Sequence, residues 1–125
     1  MTITTSDARA FAEEWIAAWN SHDLERILAH YGTEIEFLSP VAFKRTGNGR
    51  IAGIPALRAY WGPGLAAQPD LKFDLLDVLV GHDCLTILYR NHRAQHVAEM
   101  VEFGDHHKVV RSYACYTDAP RSQSS

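Results

Sequence analysis

The chain has 125 residues, of which 46% are hydrophobic and 22% charged, and its formal net charge is −3. A chain of this length suits one domain with its own core, and the composition excludes wholesale disorder. The negative charge argues against a nucleic-acid-binding surface, and no apolar run reaches the roughly 18 residues that a membrane span needs. We therefore expect a small soluble domain that binds neither nucleic acid nor a membrane.

The chain termini and the cysteines indicate the compartment. Residues 1–7 lack a basic segment followed by an apolar stretch, so they do not form a secretory signal. Cys84 and Cys115 lie in apolar runs that predict strands, and we interpret them as buried free thiols in a reducing compartment. We expect a cytoplasmic protein with one domain, residues 1–117, and a flexible C-terminal tail, residues 118–125.

Two helices are predicted first. Between residues 8 and 19 the apolar residues recur at helical spacing, after a cap at Ser6 or Asp7. Asp23 caps a second helix, and Gly32 is expected to end it, with Tyr31 on its buried face.

One strand and a third helix follow. Residues 34–38 alternate between apolar and polar and predict a strand that ends at Ser39-Pro40. The next residues, 41–53, are rich in glycine and predict a loop or an irregular hairpin. A third helix is predicted over residues 54–61, with a break at 62–64, the sequence Gly-Pro-Gly.

The second half of the chain is predicted to form strands. Four apolar runs are separated by short turn-like segments: Leu71–Val80, Cys84–Asn91, Gln95–Phe103 and Lys108–Tyr116. Helices followed by strands favour an α+β domain, in which a helical layer packs on a meandering antiparallel sheet. A curved sheet closed on one side by helices leaves a cavity that suits a ligand.

Several segments of the sequence resemble the NTF2-like superfamily, and within it the SnoaL-like polyketide cyclases and the ketosteroid isomerases. They are residues 15–24 (WIAAWNSHDL), Ile27, Ser39-Pro40, residues 53–58 (GIPALR) and residues 108–111 (KVVR). The resemblance implies a cone-shaped, cystatin-like fold with three N-terminal helices on a curved, mostly antiparallel sheet. It also implies a homodimer formed through the sheets.

The ketosteroid isomerase pattern matches this chain only in part. Its oxyanion-hole tyrosine falls on Trp15, its general-base aspartate on Ser39 and its protonated carboxylic acid on Glu99. A serine is too weak a base to act alone, and an indole N–H is a poorer donor than a phenol. We therefore do not expect ketosteroid isomerisation by that mechanism.

Glu99 is the candidate catalytic residue. Strand alternation places it on one face with Val97 and Val101, and the resemblance implies that this face points into the cavity. A carboxyl group in an apolar cavity has a raised pKa and can serve as an acid or a base. Alternatively, Glu99 only organises the pocket through hydrogen bonds to Trp15, Tyr89 or Arg111.

The expected ligand pocket combines aromatic and small polar side chains. We expect its lining to consist of Trp15, Trp19, Phe37, Ser39, Tyr60, Trp61, Tyr89, Val97, Val101, Ser112 and Tyr116. Metal-ligand motifs of the Cys-x-x-Cys or His-Glu-x-x-His type are absent from the sequence, and so is a phosphate loop. We expect neither a metal nor a cofactor.

Two functions fit these features. The first is an acid–base isomerase, cyclase or dehydratase that acts on a small hydrophobic substrate through Glu99. The second is a non-catalytic domain that binds a small apolar ligand or mediates dimerisation. In either case we expect a homodimer through the sheet, because the strands carry apolar residues on both faces.

Overall fold

The computed structural model describes residues 3–117, so the predicted tail at 118–125 lies outside the described residues. The helices are α1 (Thr5–Ser21), α2 (Leu24–Leu28), α3 (Pro40–Thr46) and α4 (Ile54–Ala67). The strands are β1 (Tyr31–Leu38), β2 (Arg50–Ala52), β3 (Asp74–Val80), β4 (Cys84–Arg90), β5 (His96–Phe103) and β6 (Val109–Tyr116). A short 3-10 turn, Asp105–His107, precedes β6.

The predicted α1 is confirmed, but its cap lies earlier than Ser6 or Asp7. Thr4 is the N-cap, and its hydroxyl accepts a hydrogen bond from the Asp7 backbone N–H at 3.0 Å. The Asp7 carboxylate in turn accepts from the Thr4 backbone N–H at 3.4 Å, which completes a capping box. Trp15 and Trp19, one helical turn apart, both lie on the buried face.

Tyr31 and Gly32 belong to β1, which corrects the prediction that they end the second helix. Asp23 does cap α2, but that helix ends at Leu28. Tyr31 pairs with Val109 of β6 in the parallel ladder. This long-range pairing overrides the local helical periodicity, because the ladder hydrogen bonds and the burial of Tyr31 depend on tertiary contacts.

Residues 41–53, predicted as a loop or an irregular hairpin, contain most of α3 and all of β2, so the chain has four helices among its described residues rather than three. Strand β2 pairs with β1 in antiparallel orientation, as in a hairpin, but a helix lies between the two strands. The Ser39 hydroxyl caps α3 by accepting from the backbone N–H groups of Val41 and Ala42, at 3.1 and 3.3 Å. Pro40 occupies the first turn, where its missing N–H costs nothing. Gly47 ends the helix with a φ of 81°.

The predicted break after residue 61 does not interrupt α4, which continues through Pro63 to Ala67. Leu57, Trp61 and Leu65 are buried at a spacing of four residues, on one side of the helix. Proline inside a helix removes one backbone hydrogen bond. Burial of the aromatic and aliphatic groups on both sides of Pro63 offsets that loss.

One sheet of six strands carries the helices, in the order β2-β1-β6-β5-β4-β3. The β1–β6 pair is parallel, and the other four pairs are antiparallel. On the inner face of the sheet, Ile87 of β4 pairs with Glu99 of β5, which pairs with Ala114 of β6, and all three are buried. The predicted α+β fold with a mostly antiparallel sheet is therefore confirmed.

The outer face of the sheet exposes apolar side chains. Leu79 of β3 and Met100 of β5 both pair with Thr86 of β4, so they share one row across the sheet, and both are exposed. The cysteines are free, as predicted, but they are not buried: Cys84 is half-buried and Cys115 is exposed. Among residues 3–117, no helix has both the length and the apolar character to cross a membrane.

Candidate functional site

A cavity of ≈ 760 Å³ lies between the helices and the inner face of the sheet. Nine of the residues named from the sequence line it: Trp15, Trp19, Phe37, Ser39, Tyr60, Trp61, Tyr89, Glu99 and Tyr116. Three others, Val97, Val101 and Ser112, do not line it and are wholly buried in the core. Nine of the twelve residues expected at the site therefore meet at one cavity, and the other three are packed in the core beneath its lining.

The cavity wall is a continuous aromatic cluster. The ring centroids of Phe73 and Tyr89 are 4.4 Å apart, those of Trp15 and Tyr89 are 5.4 Å apart, and those of Trp19 and Trp61 are 4.9 Å apart. Offset and edge-to-face contacts of this kind stabilise the rings against one another beyond the burial of their area. The result is a largely apolar surface formed by packed aromatic rings.

Glu99 is a buried carboxyl group that lines the cavity. Its side chain is 3% exposed, and its Oε2 accepts a hydrogen bond from the Ser112 hydroxyl at 2.6 Å. Burial disfavours the carboxylate and raises the pKa of Glu99 to about 7, while the Ser112 hydrogen bond partly opposes the shift. Near neutral pH the group can therefore either donate or accept a proton.

Two of the three hydrogen-bond partners considered for Glu99 from the sequence, Trp15 and Arg111, are engaged elsewhere. Trp15 Nε1 donates to the hydroxyl of Tyr31 at 2.9 Å. Arg111 pairs with Glu102 at 2.9 Å, so no arginine of the described residues neutralises Glu99. Because Glu99 and Glu102 are three residues apart on one strand, they lie on opposite faces of the sheet.

Phenol groups surround the Glu99 carboxyl. Burial raises the pKa of Tyr31, Tyr89 and Tyr116, and the negative charge of Glu99 raises each of these pKa values further. The three tyrosines therefore stay protonated at neutral pH, so each keeps a hydroxyl proton that it can donate. Tyr31 does not line the cavity, and its role was not predictable from the sequence because its helical spacing concealed the start of β1.

Ser39 has a structural role that accounts for its burial. Its hydroxyl oxygen caps α3 through two backbone N–H groups, so it is occupied as an acceptor. The position that resembles the general base of ketosteroid isomerases therefore orders the cavity wall and carries no base.

Two polar atoms on the cavity wall have no partner among the described residues. They are the indole Nε1–H of Trp19, a side chain that is 7% exposed, and Nδ1 of His92. Burial also lowers the pKa of His92, which favours its neutral form. A ligand with an oxygen acceptor would satisfy the Trp19 donor, since a buried donor without a partner is costly.

The histidines do not converge on a metal site. Among residues 3–117, no three His, Cys, Asp or Glu side chains are grouped so that they could hold a metal ion. His22 contacts the backbone oxygen of Leu71 at 2.9 Å, while His106 and His107 lie in the 3-10 turn before β6. His22 therefore has a structural contact with the backbone, and His106 and His107 belong to a turn rather than to a cluster of metal ligands.

Helix α3 supplies a part of the cavity that sequence reasoning missed. Phe43, Lys44 and Arg45 of this helix all line the cavity, and none of them belongs to the lining set expected from the sequence. The available signal was the combination of a serine cap, a proline in the first turn and a glycine at the end, which marks a helix without any apolar periodicity.

Comparison with known proteins identifies the family. The family model of the SnoaL-like domain matches residues 12–117. The chain belongs to the SnoaL-like domain family. No curated protein matches the chain.

Solved structures agree with this SnoaL-like assignment. A SnoaL-like protein of unknown function from Burkholderia thailandensis E264 is 38% identical, with a TM-score of 0.91 over 94% of this chain and 100% of that one. A protein of unknown function with a cystatin-like fold from Methylobium petroleophilum PM1 is 14% identical, with a TM-score of 0.73 over 98% and 84%. TerC, co-crystallised with polyporic acid, is 13% identical, with a TM-score of 0.72 over 88% and 92%. The last two show the shared fold alone.

Proposed function

We propose that this SnoaL-like domain binds a small, largely aromatic molecule in the cavity and moves a proton on it through Glu99, as an isomerase, cyclase or dehydratase. The observation that carries the proposal is the buried carboxyl group of Glu99, which lines an aromatic cavity and has a pKa of about 7. A general acid or base is most effective when its pKa is close to the working pH.

The surrounding residues support proton transfer next to a carbonyl group. The Glu99 carboxylate would remove a proton from the carbon beside the carbonyl, and the protonated Glu99 would return it to another carbon of the same molecule. The Trp19 indole N–H, which has no acceptor among the described residues, is available to the carbonyl oxygen as charge develops there. The route differs from that of ketosteroid isomerases, since Trp15 donates to Tyr31 and Ser39 caps a helix.

The proposal that the cavity holds a small molecule is also supported by a solved structure of the same fold. TerC, a protein of the same fold, has been crystallised with an organic acid, polyporic acid. The cavity of this chain, at ≈ 760 Å³, is within the range of pockets that hold drug-sized ligands.

The test is proton exchange on a panel of aromatic and cyclic ketones. Each ketone is incubated with the protein in D₂O, and deuterium incorporation beside the carbonyl is followed by NMR. We expect exchange with at least one member, and we expect Glu99→Gln to reduce its rate by about 100-fold or more. Glu102→Gln is the matched control, because it removes a carboxylate from the opposite face of the same strand.

Equal exchange by the Glu99→Gln variant and the unaltered protein would refute Glu99 as the proton-transfer group. A ketone that binds in the cavity and exchanges no faster than in buffer would favour the second function, a non-catalytic ligand-binding domain.

We also propose that the chain forms a homodimer through the outer face of its sheet. Leu79 and Met100 share one row of that face and are both exposed, and a row of exposed large apolar side chains favours a protein contact there. A second copy of the same face is the proposed cover, because it would bury these groups on both chains at once.

A further inference from the structure

The charged side chains that line the cavity are unevenly divided between its interior and its entrance. Glu99 is the single acidic residue among the described lining residues, and it is buried. The cations are Lys44 and Arg45 on α3, which are both exposed, and Arg93 in the turn between β4 and β5. The entrance is therefore cationic, while the interior is aromatic.

Two of these cations lack a carboxylate partner. Neither Lys44 nor Arg45 is within ion-pair distance of an acidic side chain among residues 3–117, whereas Arg93 is engaged and approaches Gln68 Oε1 at 3.4 Å. Several other surface arginines are paired with a carboxylate: Arg26 with Glu14, Arg50 with Glu36, Arg58 with Glu25 and Arg111 with Glu102. The Arg45 guanidinium at the cavity entrance therefore has N–H donors that no carboxylate among residues 3–117 occupies.

The surroundings of Arg45 connect it to the interior. A Cβ atom added at Gly64 would lie 3.7 Å from Arg45 Nη1, so the guanidinium packs beside α4. Its positive charge lowers the pKa of Tyr116, while the charge of Glu99 raises it, so this phenol lies within electrostatic range of both groups. Arg45 and Glu99 therefore both lie near Tyr116, and Arg45 is the exposed group of the two whereas Glu99 is buried.

We propose that the ligand carries an anionic group, of the carboxylate, phenolate or sulfonate class, which binds Arg45 and Lys44 at the entrance while its aromatic body occupies the cavity. This inference rests on the proposed function, since it requires that the cavity hold a ligand. It assigns the two α3 cations as specificity-determining residues that fix which end of the molecule reaches Glu99. A guanidinium donates paired hydrogen bonds to such oxyanions.

A pair of fluorescent probes tests this inference directly. The first is 8-anilinonaphthalene-1-sulfonate, and the second is N-phenyl-1-naphthylamine, which has the same rings without the sulfonate. Their dissociation constants are measured by fluorescence titration with the unaltered protein, Arg45→Gln, Lys44→Gln and the double variant. The matched control is Arg9→Gln, which removes an exposed cation of α1 that does not line the cavity.

We expect Arg45→Gln to weaken binding of the sulfonate by about 3- to 10-fold, and the double variant by more. Binding of the uncharged amine should change by less than about twofold, and Arg9→Gln should affect neither probe. The difference between the probes is expected to shrink as salt is added, because salt screens an exposed charge.

The possible failures are distinguishable. If Arg45→Gln and Arg9→Gln have the same effect on the sulfonate while the amine still binds, the anionic group is refuted and the proposed function stands. If Arg45→Gln weakens both probes equally, Arg45 only shapes the cavity, and the inference is refuted. If the unaltered protein binds neither probe, both the inference and a ligand-binding cavity are refuted.

Discussion

Glu99 couples the charge of the cavity to the stability of the domain. Its pKa is about 7 in the folded chain, whereas an ordinary glutamate titrates near 4.5. Between these two pH values the folded state binds more protons than the unfolded state. The contribution of Glu99 to the free energy of unfolding is therefore fully present below about pH 4.5, falls as the pH rises toward 7 and is constant above it.

A Glu99→Gln variant should abolish this dependence. The amide has nearly the same shape as the carboxyl group and can still accept from Ser112, but it does not titrate. We expect the unfolding free energy of the variant, relative to the unaltered protein, to rise by up to about 3 kcal/mol between pH 4.5 and pH 8. Urea unfolding of both proteins at several pH values measures this difference in unfolding free energy. A difference that is independent of pH in this window would show that Glu99 titrates normally.

Ser112 should set the pKa of Glu99 through its hydrogen bond. The donor hydroxyl stabilises the carboxylate, so Ser112→Ala should raise the pKa of Glu99 further. The carboxyl ¹³C chemical shift of Glu99, followed by NMR titration, measures this change. Ser39→Ala is the control, because that hydroxyl caps α3, and the pKa of Glu99 should not rise with it. An unchanged pKa in Ser112→Ala would contradict the assigned role.

At the scale of single residues, the sequence identified Glu99 but not its partner. Alternation along β5 and the family resemblance were enough to place Glu99 on the inner face. The Ser112 contact depends on the register between β5 and β6, in which Glu99 pairs with Ala114, two residues from Ser112 on the same face. Sequence alone does not fix that register to one residue.

Among the elements, α4 begins at a backbone position that only glycine readily adopts. Gly53 has a φ of 90° and a ψ of 155°, and this conformation is strained for any residue with a Cβ atom. Gly53→Ala should therefore lower the unfolding free energy by about 1 to 3 kcal/mol. The loss is measured by urea unfolding at a fixed pH.

Gly64 is the matched comparison, because it lies inside α4 and is not among the residues with positive φ. An added Cβ would be 3.7 Å from the flexible end of Arg45, which is an ordinary contact distance. Gly64→Ala should raise the unfolding free energy by about 0.5 to 1 kcal/mol, since alanine favours the helix. Equal destabilisation by both substitutions would contradict the role assigned to the Gly53 conformation.

Two elements were misjudged from the sequence, for different reasons. In α3 a single residue, Ala42, is buried, so the helix has no apolar stripe and is recognisable only by its ends. In α4 Pro63 does disfavour a continuous helix, but the burial of Trp61 and Leu65 outweighs this local effect, so the helix continues. Long, periodic elements such as α1 and β5 were predicted well because their own residues supply the burial that forms them.

For the whole molecule, the exposed outer face of the sheet predicts the oligomeric state. We expect sedimentation equilibrium to show a dimer at micromolar concentration, and Leu79→Lys to raise its dissociation constant by at least about tenfold. The lysine would place an unpaired charge in an apolar interface. Phe43→Lys is the control, since Phe43 is 61% exposed but belongs to α3 rather than the sheet. A monomer in the unaltered protein, or equal weakening by both variants, would refute this interface.

All three tryptophans of the chain, Trp15, Trp19 and Trp61, line the same cavity. The tryptophan emission of the protein therefore comes entirely from the walls of this one site, with no indole elsewhere to contribute background. We expect a molecule that enters the cavity to change the tryptophan emission, because each indole lies on its wall. The domain can thus be screened against unlabelled compounds by its own fluorescence, which makes the search for its natural ligand a direct optical measurement.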